Sequence, residues 1–143
     1  MDIKEMTGLE IMLAMKDGKL DYPSMCQTIP MIIESAEKGI ITFEVIANEH
    51  HINVMGGVHG GFAATVLDTV TGCAVQSMLE KRVSYATIDL TVKMMRPVPK
   101  NEKLFAKGAV VNMSKSLGIS EASLSNKEGK LLATATSTCL LLK

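Results

Sequence analysis

The residues best suited to chemistry lie in one short stretch, NVMGGVHGGFAATVLD, which runs from Asn53 to Asp68. Asp68 is the only charged side chain between His59 and Glu80. A helix is predicted to begin at this turn, and the first N–H groups of a helix have no intrahelical partner. Because Gly60 has no Cβ, a ligand oxygen can approach its N–H closely, as an oxyanion hole requires. A simple tight turn explains the same glycines, so both interpretations are open.

Asp68 is a candidate general base or nucleophile. On a helix it shares one face with residues that are mostly small: Ala64, Thr65, Thr71, Gly72 and Val75. Another backbone can therefore come close to this face, which partly removes the carboxylate from water. The alternative interpretation is a structural aspartate that bonds to polar groups at a subunit or sheet contact.

The spacing of these two residues favours a site made by two subunits. Eight residues separate Gly60 from Asp68, which is about 12 Å along a helix. One small reacting group cannot contact the Gly60 N–H and the Asp68 carboxylate of the same chain. If both act on one substrate, the aspartate comes from a second copy, and a two-fold dimer with antiparallel central helices generates two equivalent sites. The catalytic interpretation therefore predicts at least a homodimer.

The polar residues around this motif each have more than one interpretation. His59 either contacts a substrate carbonyl or bonds to the backbone and holds the turn. The holding role is favoured, because no Ser or Cys is placed as a nucleophilic partner. Asn53 either positions water or substrate, or is an ordinary turn asparagine. His50 and His51 follow Glu49 at a polar strand end and are predicted to lie on the surface.

The composition predicts one domain over residues 1–143. A formal net charge of zero gives no electrostatic reason to expect nucleic acid or an anionic membrane as partner. Aromatic residues, at 3%, are too few for base stacking. Segment 62–79, which contains Asp68, is too polar to span a membrane. The start of the chain lacks the features of a signal peptide.

The cysteines argue against two classes of site. Cys26, Cys73 and Cys139 are far apart, odd in number and form no CxxC pair. A metal centre and a disulfide framework are therefore not expected, and a reducing, cytoplasmic location is favoured.

Hydrophobic periodicity predicts the order helix, two strands, one long helix, four strands. The helices are expected at 7–16, with a capping box between Thr7 and Glu10, and at about 59–81. The predicted strands lie at 31–35, 40–48, around 87–94, and at 104–113, 118–125 and 130–142. In the third strand Ile88, Leu90 and Val92 are predicted to face one way and Thr87 the other. Short turns pair such strands antiparallel, so the fold class is α+β, with one sheet face packed on the long helix.

The turn and the long helix together resemble a known family. The pattern Asn53-x5-His59-Gly60-Gly61-x6-Asp68 resembles the hotdog-fold acyl-CoA thioesterases of the phenylacetate-degradation type. The resemblance covers residues 20–142 and includes IDLTVKMMRPV, which looks like the family's strand that ends in a proline. It implies an antiparallel sheet wrapped around one long central helix. It also implies that two protomers form a continuous sheet and that dimers pair into homotetramers.

The resemblance further implies roles for single residues. Gly60 would supply the oxyanion N–H, and Asp68 of the facing subunit would be general base or nucleophile. His59 and Asn53 would orient the thioester and water. Thr87 stands ten residues before the proline, where some members use a Ser or Thr. No metal or redox cofactor is implied.

Coenzyme A carries phosphates that usually meet basic side chains at the rim of a site. Three candidates for such contacts are present in this sequence: Lys115, Lys93 and Arg96.

Two other functions compete with thioester hydrolysis. A hotdog dehydratase or hydratase would present a His with an acidic partner, in different motifs. A non-catalytic acyl-CoA-binding protein would not need Asp68. The His-Gly-Gly pattern followed by Asp68 fits hydrolysis better than either.

Overall fold

The computed structural model describes all 143 residues of the chain. The α-helices are α1 (Gly8–Lys16), α2 (Met25–Thr28) and α3 (Gly60–Gln76). The strands are β1 (Met31–Glu37), β2 (Ile40–Val45), β3 (Ser84–Met94), β4 (Leu104–Met113), β5 (Leu117–Asn126) and β6 (Leu131–Leu142). Short 3-10 helices cover Ile3–Glu5 and Glu49–His51. None of the helices is both long and apolar enough to cross a membrane.

All six strands form one antiparallel sheet in the order β1-β2-β4-β5-β6-β3. The long helix α3 packs on one face of this sheet, and its apolar side chains share a single core with those of the strands. Ile41, Phe43 and Val45 alternate along β2 and are at most 1% exposed, as their spacing predicts. The predicted α+β class, with the sheet wrapped around one long helix, is confirmed.

The strand β3 lies at one edge of the sheet. Ten of its 11 residues pair with β6, all on the same side of the strand. The other side leaves backbone donors and acceptors available to another chain, which is the usual property of a long edge strand.

The helix α1 begins with the predicted capping box. Thr7 Oγ1 accepts the Glu10 N–H at 3.3 Å, and Glu10 Oε2 accepts the Thr7 N–H at 2.7 Å. Gly8 then lies against the end of α3, because a Cβ there would sit 1.6 Å from the Gln76 carbonyl oxygen. A glycine is thus required where α1 approaches α3.

The helix α3 ends at Gln76, earlier than predicted. The Ser77 hydroxyl donates to the Ala74 carbonyl oxygen at 2.6 Å and accepts the Gly39 N–H at 2.8 Å. This bond to the turn between β1 and β2 fixes the helix end. Because Gly39 lies 38 residues away in sequence, local helix propensity gives no sign of it.

A β-bulge corrects the predicted faces of β3. Thr87 pairs with Cys139 and Asp89 with Thr138, so Ile88 is the extra residue. Ile88 is 58% exposed, whereas Thr87 is half-buried on the inner face with Leu90. The prediction that Ile88 shares a face with Leu90 and that Thr87 lies on the opposite face is therefore wrong.

Candidate active site

The turn before α3 is anchored by His51, which was predicted to lie on the surface. His51 is instead 9% exposed. Its Nδ1 accepts the Asn48 N–H at 3.0 Å, its Nε2 lies 2.7 Å from the Thr28 carbonyl oxygen, and its ring packs on Phe62. A neutral ring protonated on Nε2 satisfies both hydrogen bonds. The surface prediction for His51 is wrong, because the ring bonds to a backbone carbonyl of α2 and packs on Phe62.

Asn53 bonds to the backbone of the exposed loop 54–57 and holds its two ends together. Its Oδ1 accepts the Met55 N–H at 2.9 Å and the Gly57 N–H at 3.1 Å. The backbone of Asn53 also bonds to Gly57 and Gly56. The structure thus gives the carbonyl oxygen of this side chain a turn-forming role. The side-chain NH₂ group makes no hydrogen bond within the chain.

His59 is the N-cap of α3. Its Nδ1 accepts the Gly61 N–H at 2.7 Å, and its own N–H donates to the His51 carbonyl oxygen at 2.7 Å. The Phe62 N–H donates back to the His59 carbonyl oxygen. The Gly60 N–H, the first of the helix, has no hydrogen-bond partner in the chain. The positive end of the helix dipole lies at the same place.

The Gly60 N–H borders a cavity of about 290 Å³. Its walls include Val58, Ala63, Met94 and Arg96. A Cβ on Gly60 would lie 2.9 Å from the Met94 sulfur. A side chain at this position would therefore press on Met94 and narrow the cavity.

Asp68 lies in the middle of α3, on the helix face that meets the edge strand β3. Its side chain is half-buried, and its Oδ1 is fully buried without a hydrogen-bond partner. One turn further, Gly72 is pressed against Tyr85, since a Cβ there would lie 2.6 Å from the phenol oxygen. Asp68 and Gly72 share a helix face, so the Tyr85 ring lies next to the carboxylate.

The electrostatic surroundings of Asp68 are poorly hydrated. Burial raises the pKa of Cys73 to about 12, and the neighbouring charges of Cys26 and Asp68 add to this shift. Burial also raises the pKa of Tyr85, with smaller contributions from Cys73, Cys139 and Asp68. The negative charge of Asp68 therefore contributes to the raised pKa of both Cys73 and Tyr85, in surroundings with little water.

Thr87 belongs to the same part of the molecule. The bulge at Ile88 turns Thr87 inward, two residues from Tyr85, and its Oγ1 lies 3.9 Å from the Cys139 sulfur. Tyr85 lies against Gly72 and Met94 against Gly60, so β3 runs antiparallel to α3 and Thr87 is level with the helix turn of Asp68. Asp68, Tyr85 and Thr87 are therefore grouped as one half-site. His59 and Gly60 form a second half-site at the start of α3. One continuous helix holds both, so they remain about 12 Å apart in the chain.

The three candidate cations lie in different places. Arg96 lines the Gly60 cavity, and its Nη1 donates to the Leu131 carbonyl oxygen at 2.6 Å. Lys93 lies on the outer face of the sheet, in a shallow groove that also contains Lys107 and Glu121. Lys115 is in the turn between β4 and β5, next to the C-terminal end of β6. Only Arg96 is brought together with Gly60 within one chain.

Sequence and structure comparisons agree with one another. The model of the family described as "Thioesterase superfamily" matches residues 55–133. A candidate esterase of Halobacterium salinarum is 33% identical over 126 residues, which are 83% of this chain and 82% of that protein. Human acyl-coenzyme A thioesterase 13 is 30% identical over 105 residues, covering 73% of this chain and 74% of that protein.

A solved structure shares the whole architecture. It is a phenylacetic acid degradation-related protein of Ralstonia eutropha, described as a candidate thioesterase. The TM-score is 0.82 at 27% identity, and the match covers 90% of this chain and 98% of that one.

Proposed function

The chain belongs to the thioesterase superfamily, and we propose that it hydrolyses acyl-CoA thioesters to a free acid and coenzyme A at a site shared by two subunits. The resemblance to the hotdog thioesterases is confirmed by the family match and by the Ralstonia structure. Coenzyme A as the thiol is supported by the name of the human relative. Membership of the family favours hydrolysis over the dehydratase and the non-catalytic alternatives.

The pair of incomplete half-sites carries this proposal. One half-site offers a backbone donor without an acceptor at Gly60. The other offers a buried carboxylate oxygen without a donor at Asp68. Buried polar groups in native proteins are nearly always hydrogen-bonded, so an exception requires an explanation. A thioester held between Gly60 of one subunit and Asp68 of the partner subunit uses both groups.

A two-fold dimer supplies the required geometry. Ala64 is midway between Gly60 and Asp68, so an axis near Ala64 sets each Gly60 opposite the other subunit's Asp68. The helix face there consists of Gly61, Ala64 and Thr65, which are small and half-buried, and allows close approach. The free edge of β3 provides backbone groups for continuing the sheet into the second subunit.

The reaction follows from the charges that these groups carry. The Gly60 N–H and the helix dipole stabilise the negative charge that develops on the carbonyl oxygen. Asp68 either takes a proton from a water molecule that attacks the carbonyl carbon, or attacks that carbon itself as a nucleophile. The C–S bond breaks, the thiolate of coenzyme A leaves, and water supplies the proton and the hydroxyl of the products.

The remaining residues position these groups. His59 holds the Gly60 N–H in place by capping Gly61, and Asn53 fixes the loop before it while its NH₂ group stays available to water or substrate. Thr87 offers a hydroxyl beside Asp68 that can orient water or the thioester carbonyl. Arg96 in the Gly60 cavity is the cation best placed for a coenzyme A phosphate.

Mixing two inactive variants tests the shared site. Asp68→Ala and Gly60→Ala are each produced alone and co-expressed in equal amounts, and thiol release from a panel of acyl-CoA thioesters is measured. Random pairing gives half mixed dimers, each with one intact site, so about a quarter of the wild-type activity returns. If the co-expressed mixture is no more active than the separate variants, the shared site is wrong. If wild-type protein hydrolyses none of the thioesters, the activity itself is wrong.

A further inference from the structure

The N-terminal segment borders a second cavity, open on one side to solvent, which the catalytic groups do not use. The cavity has a volume of about 710 Å³, compared with about 290 Å³ for the cavity at Gly60. Five apolar side chains line it: Ile3, Met6, Ile11, Met12 and Val83. Its charged residues, Asp2, Lys4, Glu5 and Arg82, are all exposed and form the rim. An apolar interior with a polar rim is typical of a small-molecule site.

Residues 2–6 form one wall of this cavity, called the roof below, and polar contacts hold it at both ends. Asp2 Oδ1 accepts the Lys4 N–H at 3.0 Å and caps the 3-10 helix Ile3–Glu5. Glu5 forms an ion pair with Arg82 across the cavity mouth. Arg82 has a φ of 63°, a conformation that is uncommon for a residue with a side chain. The turn before β3 is thus held in a form that directs Arg82 toward the roof.

The cavity lies at the end of the helix that carries Asp68. Gln76, the last residue of α3, forms part of its wall. Asp68 and Gln76 are eight residues apart, or about 12 Å along the helix. Between them Thr69 and Cys73 are half-buried, as is Gln76, and their spacing of four and three residues places them along one side of α3. These side chains form a strip along α3 from the turn of Asp68 to the cavity, with Cys73 as its least hydrated point.

We propose that this cavity holds the far end of a long, saturated acyl chain whose thioester lies at Asp68. The inference rests on the proposed hydrolysis of acyl-CoA and names the class of acyl group. Single carbon–carbon bonds of about 1.5 Å advance an extended chain by about 1.3 Å per carbon. About nine carbons thus span the strip, and chains of about 12 to 16 carbons place their last methylenes in the cavity.

The lining fits a flexible hydrocarbon tail better than a rigid or polar acyl group. Met6 and Met12 are unbranched and adapt to irregular shapes. No charged side chain lies in the interior that would need a polar partner. Each methylene that leaves water on binding contributes up to about fourfold to affinity.

Chain-length profiles of matched tryptophan variants test the proposal. Ile11→Trp fills the cavity from α1, whereas Leu13→Trp adds the same group on the same helix at an exposed position outside the cavity. Wild type, both variants and Ile3→Asp, which puts a charge on the roof, are assayed with acyl-CoA of 4 to 16 carbons. Thermal unfolding checks that each variant is folded.

We expect kcat/KM of the wild type to rise by tenfold or more between 8 and 14 carbons. Ile11→Trp and Ile3→Asp lower the ratio of kcat/KM for 14 carbons to that for 6 carbons by about tenfold, and Leu13→Trp keeps the wild-type ratio. A profile that is flat beyond 8 carbons overturns the proposal, as does an Ile11→Trp ratio equal to that of Leu13→Trp. Either result means that solvent or a segment of the second subunit fills the cavity. Absence of hydrolysis for every chain length instead contradicts the proposed function.

Discussion

The two half-sites on α3 differ in how far the chain satisfies its own polar groups. At the start of the helix, His59 accepts the Gly61 N–H and donates to His51, and the His51 ring is itself bonded on both nitrogens. The Gly60 N–H remains without a partner in the chain. In the middle of the helix, Asp68 has a buried oxygen without any partner, beside a tyrosine and a cysteine whose pKa values are raised by burial.

This difference assigns different physical roles to the two half-sites. The first half-site is rigid before any substrate arrives, which is what electrostatic stabilisation of a transition state requires. The second keeps a charge whose burial without a partner costs about 1–3 kcal/mol in the isolated chain. That cost is relieved when a second subunit and a substrate approach. Substitutions at the two places should therefore change activity and stability in different proportions.

The largest effect is expected for Asp68→Asn. Without the carboxylate the attack on the thioester loses its base or nucleophile, so kcat should fall by about 10³-fold or more. The free energy of unfolding should stay equal or rise by about 1 kcal/mol, because an unpaired buried charge is removed. Thiol release and urea unfolding measure the two quantities. A variant that keeps more than a tenth of the activity would falsify the role of Asp68.

Gly60→Ala should affect the other half-site by a smaller factor. The new methyl group blocks approach to the N–H, and the loss of an oxyanion donor typically lowers kcat by about 10²-fold. Stability should hold, because the Met94 side chain is 54% exposed and can move, while Ala favours helix by about 1 kcal/mol. The double variant with Met94→Ala separates two causes. If it regains full activity, displacement of Met94 caused the loss and not the blocked donor.

The same contrast explains how much the sequence predicts. The Gly60 half-site depends on neighbours along the chain: a glycine-rich turn, an N-cap and the start of a long helix. These local signals also predict the capping box of α1 and the alternation of Ile41, Phe43 and Val45. The family pattern then leads to the hotdog fold and the thioesterase class.

The parts that sequence reasoning missed depend on distant partners. The β-bulge at Ile88 exists because β3 must match the register of β6, some 50 residues later, and nothing in the local alternation predicts it. His51 is buried because its ring meets the carbonyl of Thr28, 23 residues earlier. Tyr85 beside Gly72 is likewise a contact between helix and strand. A glycine inside an apolar helix was the one local sign that something packs there closely.

Substitutions of Thr87 should change kcat by an intermediate factor and test the role of its hydroxyl in the Asp68 half-site. Its hydroxyl lies near no strong partner, since the Cys139 sulfur is 3.9 Å away, and so is free to bind water or the thioester carbonyl. Thr87→Ala should lower kcat by about tenfold, the usual order for one neutral hydrogen bond, and Thr87→Ser should keep it within about twofold. Steady-state kinetics on both variants provide the measurement. Equal losses in Thr87→Ala and Thr87→Ser would mean that the methyl group packs and the hydroxyl does nothing.

The smallest effect on activity is expected at His59, where the two interpretations of the residue give opposite outcomes. Removing the N-cap in His59→Ala should lower the free energy of unfolding by about 1 kcal/mol, and His59→Asn, a good cap, should restore most of it. If His59 only holds the turn, kcat of His59→Asn stays within about threefold of wild type, because the Gly61 N–H is again bonded and Gly60 keeps its orientation. If the imidazole itself contacts the substrate, His59→Asn is stable but as inactive as His59→Ala. Urea unfolding and kcat, measured on the same preparations, therefore separate a cap from a catalytic ring.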